Sequence, residues 1–144
     1  MQAVALHKEL HIPLLKESAA RKINSPEKLV ASLREEIFSE RRECLGVVAL
    51  DTRNNVIWHG IVHIGTLDYA PSHPREIFRQ AIACASAGIV VVHNHPSGEV
   101  KPSREDVEIA EILKTCGEIL GIPLLDFVIV AGEGFFSFAR EGLL

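Results

Sequence analysis

A chain of 144 residues, 47% hydrophobic and 24% charged, has the size and balance of one globular domain of the soluble kind. Its net charge of −4, with basic residues scattered apart from Arg21-Lys22 and Arg41-Arg42, argues against a nucleic-acid-binding surface. No run reaches the roughly 18 apolar residues of a membrane helix and the first ten residues lack a signal-peptide plan, while Cys44, Cys84 and Cys116 stand far apart in apolar surroundings and read as buried, reduced thiols of a cytoplasmic protein.

Residues 1–24 carry the weakest pattern and are read as an N-terminal extension, with residues 12–15 suited to a short edge strand because Pro13 cannot donate to a ladder. Ser25-Pro26-Glu27 is a helix start, with Ser as N-cap and Pro in the first turn. It predicts a helix to about Phe38 that buries Leu29, Leu33 and Ile37. Residues 44–50 form a continuous apolar run, Asp51-Thr52-Arg53-Asn54-Asn55 makes a turn, and residues 56–65 return as the second strand of a hairpin. Pro74 opens a second helix with Ile77, Phe78, Ala81, Ile82 and Ala85 on one side, ending near Gly88. Residues 89–92 are a short, wholly apolar strand, expected in the middle of a sheet covered on both faces. A third helix spans 103–120, with Val107, Ile109, Ala110, Ile112 and Leu113 apolar and Gly121 near its end. The last strands, 124–130 and 135–138, flank a Gly132-Glu133-Gly134 turn. The order α-β-β-α-β-α-β-β predicts a single-domain α/β fold, a mixed sheet flanked by helices.

The chemistry concentrates in Val92-His93-Asn94-His95-Pro96 and the Ser103-x-x-Asp106 that follows. Histidines two residues apart at the end of a strand point to the same side. They leave the carboxyl end of the central strand, where open α/β sheets place their sites. The intervening loop holds Pro96, Ser97-Gly98 and Pro102, turns sharply and can return Asp106 to the two imidazoles. Two histidines, a carboxylate and an open position for water make the donor set of a catalytic zinc rather than a structural one. Ser103-x-x-Asp106 is equally a helix start, with Ser103 as N-cap and Asp106 at N3. The two readings are compatible, since one carboxylate oxygen can bind metal while the other meets a backbone N–H. The consecutive letters H-N-H are not the nuclease motif of that name, whose residues come from separated positions.

Such a site polarises a water toward a pKa of about 7, and hydrolysis then needs a carboxylate outside the ligand set to take the proton. Asp126, inside an apolar strand, and Glu43, just before one, both qualify, and composition favours neither.

The residues Glu43…Gly65-Thr66…His73-Pro74-Arg75-Glu76…His93-Asn94-His95-Pro96-Ser97-Gly98…Pro102-Ser103-x-x-Asp106, continued by Leu125-Asp126 and Ser137-Phe138-x-x-Glu141-Gly142, closely resemble the RadC family over residues 25–144. That family belongs to the JAMM (MPN) metalloprotease superfamily, whose pattern is a Glu at a strand start, then His-x-His, seven residues and Ser-x-x-Asp. The resemblance implies a cytidine-deaminase-like fold with His93, His95 and Asp106 as Zn2+ ligands. It also implies Glu43 as general base and proton shuttle, and Ser103 as a donor to the oxyanion. The family usually has Asp-His where this chain has Asp126-Phe127, so any role of that histidine is lost or reassigned here. Longer RadC proteins carry an N-terminal helical region of DNA-binding type, and this chain is read as a short form without it. Their historical link to DNA repair therefore transfers poorly.

The expected function is a zinc-dependent metallohydrolase, peptidase- or isopeptidase-like, acting on a peptide or protein substrate. The alternatives are a non-catalytic binding module of the same fold and a DNA-repair-associated protein.

Overall fold

A computed structural model describes residues 21–37, 41–65 and 73–144, with the side chains of Glu36 and Ile37 excepted. The edge strand expected at residues 12–15 and the burial expected of Ile37 lie outside what is described. The order of elements is α1 (Pro26–Ile37), β1 (Cys44–Leu50), β2 (Val56–Ile64), α2 (Pro74–Ala83), β3 (Gly88–Asn94), α3 (Arg104–Leu120), β4 (Leu124–Ala131) and β5 (Gly134–Ser137). This is the α/β succession expected, with no cis peptide bond among the described residues.

The strands form one sheet in the order β2-β1-β3-β4-β5. Only the β3/β4 pair is parallel, so the sheet is mixed. Strand β3 is central and buried along its whole length, which is why its residues are apolar without alternation. One face carries Val48, Leu50, Val90, Val92, Val128 and Val130 against Leu29, Val30 and Leu33 of α1. The other carries Leu45, Val47, Ile89, Val91, Phe127 and Ile129 against Ile77, Phe78 and Ala81 of α2 and Ala110 and Leu113 of α3. Phe127, standing where the family usually has His, is a core side chain on this second face, its ring 5.0 Å from that of Phe138.

Three expectations are corrected. Strand β3 does not stop at Val92 but runs to Asn94, because His93 stays in register between Leu45 of β1 and Ile129 of β4. Ladder partners on both sides extend a strand past the end of its apolar run. Helix α2 ends before Gly88: the Ser86 N–H donates to the Ala81 carbonyl and the Ala85 N–H to that of Ile82, with Ala85 at φ 51°. This is a Schellman ending with alanine in the left-handed position usually held by glycine, so the terminating residue carries no compositional signal. Ile82 is consequently 55% exposed, not part of the buried stripe. Of the thiols only Cys44 is buried; Cys84 and Cys116 are half-buried, and all are free.

The C-terminal segment is tied to α1 by Arg140, whose guanidinium donates to both oxygens of Glu27 at 2.6 and 2.9 Å and lies over the Phe135 ring. The Arg140 hydrogen bonds hold the Glu27 carboxyl at a pKa of about 2, below its ordinary 4.5. A carboxyl lowered in the folded state favours folding above its unfolded pKa. The contribution of the pair is therefore fully present above about pH 4.5 and is lost as pH falls toward about 2. An NMR titration is expected to place the Glu27 midpoint near 2, and Arg140→Ala to raise it toward its ordinary 4.5. High salt should narrow the difference because the pair is exposed.

Candidate metal centre

The site is assembled by three local devices. Strand β3 ends on His93-Asn94, and the His95 N–H donates to the Val130 carbonyl of β4, carrying the backbone one residue further along the neighbouring strand. The chain then turns: the Gly98 N–H donates to the His95 carbonyl, with Gly98 at φ 87°, a left-handed conformation that suits glycine. Helix α3 opens with a reciprocal cap. The Asp106 N–H donates to Ser103 Oγ at 3.1 Å, and the Ser103 N–H donates to Asp106 Oδ2 at 2.7 Å. The sequence Ser-x-x-Asp thus fixes the Asp106 carboxylate, which is wholly buried, at the head of the helix.

The two imidazoles meet that carboxylate. His93 Nδ1 lies 2.8 Å from Oδ1 and His95 Nε2 lies 3.1 Å from Oδ2. The rings stand edge to face, centroids 4.9 Å apart. Ligand atoms of all three residues lie within 4.8 Å of one another. Both carboxylate oxygens therefore face an imidazole, and Oδ2 also accepts the backbone N–H, a tighter sharing than one oxygen for metal and one for the cap. Burial works to raise the Asp106 carboxyl, but hydrogen bonds from His93 and Ser103 outweigh it and hold the group below the usual range, as an anion.

The donor set fits a metal ion on two further observations. His95 Nδ1 is 2.8 Å from the Glu99 carbonyl, an acceptor, so this nitrogen carries the proton. In the neutral ring Nε2 then presents a lone pair toward an anionic oxygen, and a cation between them removes the conflict. A ligating histidine commonly donates its other N–H to a backbone carbonyl in this way. His93 Nε2 is buried without a hydrogen-bond partner among the described residues, so the set also holds an imidazole nitrogen that the protein leaves unsatisfied. His93, His95 and Asp106 are the only such group of potential ligands among the described residues.

Glu43, the residue before β1, and Ser103 line one open cavity of about 450 Å³ together with His95, Glu99 and Lys101. Ser103 Oγ accepts from the Asp106 N–H, which leaves its own hydroxyl proton to donate. Asp126 is elsewhere. It pairs with Val90, three positions before His93, and accepts from the Phe127 N–H, the Ala139 N–H and the Ser137 hydroxyl, locking the turn after β5. Burial pushes its carboxyl up, opposed by these hydrogen bonds. Sequence reasoning missed two supports: the Glu99 carbonyl, which as a main-chain group has no compositional signal, and the Asn94 side chain, whose partners are main-chain atoms of Arg42 and Cys44.

A mixed α/β sheet whose central strand presents His-x-His to a carboxylate at the head of the next helix defines a JAB-type domain with a candidate metal centre. The model of the RadC-like JAB domain family matches residues 23–143, and the chain belongs to that family. It is similar to a UPF0758 protein of Thermotoga maritima, 46% identical over 142 residues, which are 99% of this chain and 63% of that protein. UPF0758 proteins of Clostridium beijerinckii and Rubrobacter xylanophilus are 45% and 46% identical over 85% of this chain, corresponding to 54% and 53% of theirs. The chain thus spans between about half and two thirds of the length of these relatives. Among the described residues, no helix is long and apolar enough to cross a membrane.

Proposed function

We propose that this protein is a zinc-dependent hydrolase of peptide or isopeptide bonds, with His93, His95 and Asp106 holding the ion. The observation that carries the reading is that His95, a member of the metal-type donor set, lines one open cavity with Glu43 and Ser103. When bound, zinc supplies Lewis acidity, lowering the pKa of water toward about 7 and polarising a carbonyl. Glu43, outside the ligand set, takes the proton of the attacking water and returns it to the leaving amine. Ser103 donates its O–H to the oxyanion that develops on the carbonyl oxygen. Its Oγ is already placed by the cap, so little reorganisation is needed. The N-terminus of α3, beside Ser103, adds partial positive charge at the same place. Peptide or protein substrates fit the open cavity, and the acidic balance of the chain argues against direct binding of nucleic acid.

Metal analysis tests the reading. Protein purified in zinc and dialysed is expected to retain about one equivalent, as three protein ligands hold a catalytic zinc. His95→Ala should retain almost none while remaining folded, because His95 lines the open cavity and belongs to neither hydrophobic core cluster. A wild-type protein without zinc, or a His95→Ala protein that keeps it, would sink the proposal.

A further inference from the structure

We infer that Asn94, the residue between the two histidines, is a positioning residue for Glu43: its carboxamide clamps the peptide units on either side of Glu43 to the strand that bears the ligands. The inference rests on the proposed role of Glu43. Asn94 Nδ2 donates to the Arg42 carbonyl at 3.0 Å and Asn94 Oδ1 accepts the Cys44 N–H at 2.5 Å. Asn94 is itself buried, 5% exposed. The register places these contacts at the end of the β1/β3 ladder, beside the ligands. The last Cα pair of the β1/β3 ladder is Leu45↔His93, and Asn94 and Cys44 follow directly beyond it. Beyond that point the β3 backbone turns to the other neighbour, with the His95 N–H on the Val130 carbonyl. The Asn94 carboxamide, which carries one donor group and one acceptor like a peptide, bonds β1 and the residue two before it at this end of the ladder. The Glu43 carbonyl is held separately, accepting the Gly65 N–H at 2.8 Å.

The backbone of Glu43 is thus held by β2 on one side and by the ligand strand on the other. Residues that act through hydrogen bonds on a catalytic group need its backbone fixed to fractions of an ångström. A clamp from between the ligands sets the base relative to the ion directly, without passing through the long β1/β3 pairing. Aspartate in place of Asn94 keeps the shape and the acceptor but loses the donor, setting an oxygen against the Arg42 carbonyl. Alanine loses both contacts.

The test uses the full chain loaded with Co2+ and carrying carbon-13 at the glutamate δ position, in wild type, Asn94→Asp and Asn94→Ala. The paramagnetic relaxation of each carboxyl carbon reports its distance from the ion, and Glu99, on the same cavity, is the internal control. Expected are strong enhancement at Glu43 in wild type, a several-fold loss in both variants, little change at Glu99, and Co2+ affinity within about threefold of wild type. Enhancement at Glu43 that is unchanged in both variants overturns the clamp. So does loss of Co2+ binding in the variants, which would assign Asn94 to the ligands and not to the base. No enhancement at Glu43 in wild type removes Glu43 from the metal site, and with it the base of the proposed function. Should neither variant fold, hydrogen exchange in wild type decides: the Cys44 amide and the Asn94 carboxamide protons must exchange far more slowly than in an unstructured chain, and exchange at the unstructured rate overturns the clamp.

Discussion

Asp106→Ala is expected to abolish zinc binding and to destabilise the metal-free domain by about 2–4 kcal/mol, combining a lost helix cap with a buried imidazole left unpaired. The carboxylate is wholly buried and meets His93, His95 and the Ser103 N–H at once. Removing it orphans His93 Nδ1 in an environment only 3% exposed, so water cannot replace the partner. Ser103→Ala removes only the Oγ acceptor of the cap and should cost about 1 kcal/mol while keeping the three ligands. Urea unfolding of the metal-free variants, with zinc content measured in parallel, checks both. Equal loss of stability in the two variants would show that Asp106 serves the helix end alone. The expected ordering instead makes one residue both the cap that starts α3 and the group that gathers the imidazoles.

Glu43→Gln should leave the fold and the zinc content unchanged and lower turnover by about 10²–10⁴-fold, the range contributed by a positioned general base. Glutamine matches glutamate in shape, so binding at the cavity is preserved while proton acceptance is lost. Turnover of a peptide and isopeptide library, with zinc loading held equal, provides the measurement. Undiminished hydrolysis by Glu43→Gln removes the carboxylate from the reaction. A zinc-loaded wild type that turns over nothing in the library while still retaining peptides favours the binding-module alternative.

Much of this geometry was legible before any coordinates. The apolar run at residues 44–50 is a strand with those bounds because every position is buried between α-helical layers, and a fully buried strand has no alternation to blur its ends. Ser25-Pro26 and Ser103-x-x-Asp106 locate two helix starts because capping is local chemistry, written within four residues. The end of α2 was misread for the converse reason: the left-handed conformation that follows it sits on Ala85, a residue with no preference for it.

The sequence alone determined the types of the ligands, the α/β order of the elements and the helix cap that carries Asp106. Each of these depends on side-chain chemistry or on contacts close along the chain. Only the tertiary structure decided that Glu43 shares a cavity with His95 and Ser103 while Asp126, equally eligible by composition, is spent on a turn. Only the structure, too, brought the Glu99 carbonyl to His95 and Asn94 to both sides of Glu43. These are contacts to main-chain atoms, in the case of Glu43 across 50 residues of chain, and every residue type has the same main chain. Register between strands selects the Asn94 contacts and the turn after β3 selects the Glu99 carbonyl, in neither case by residue identity.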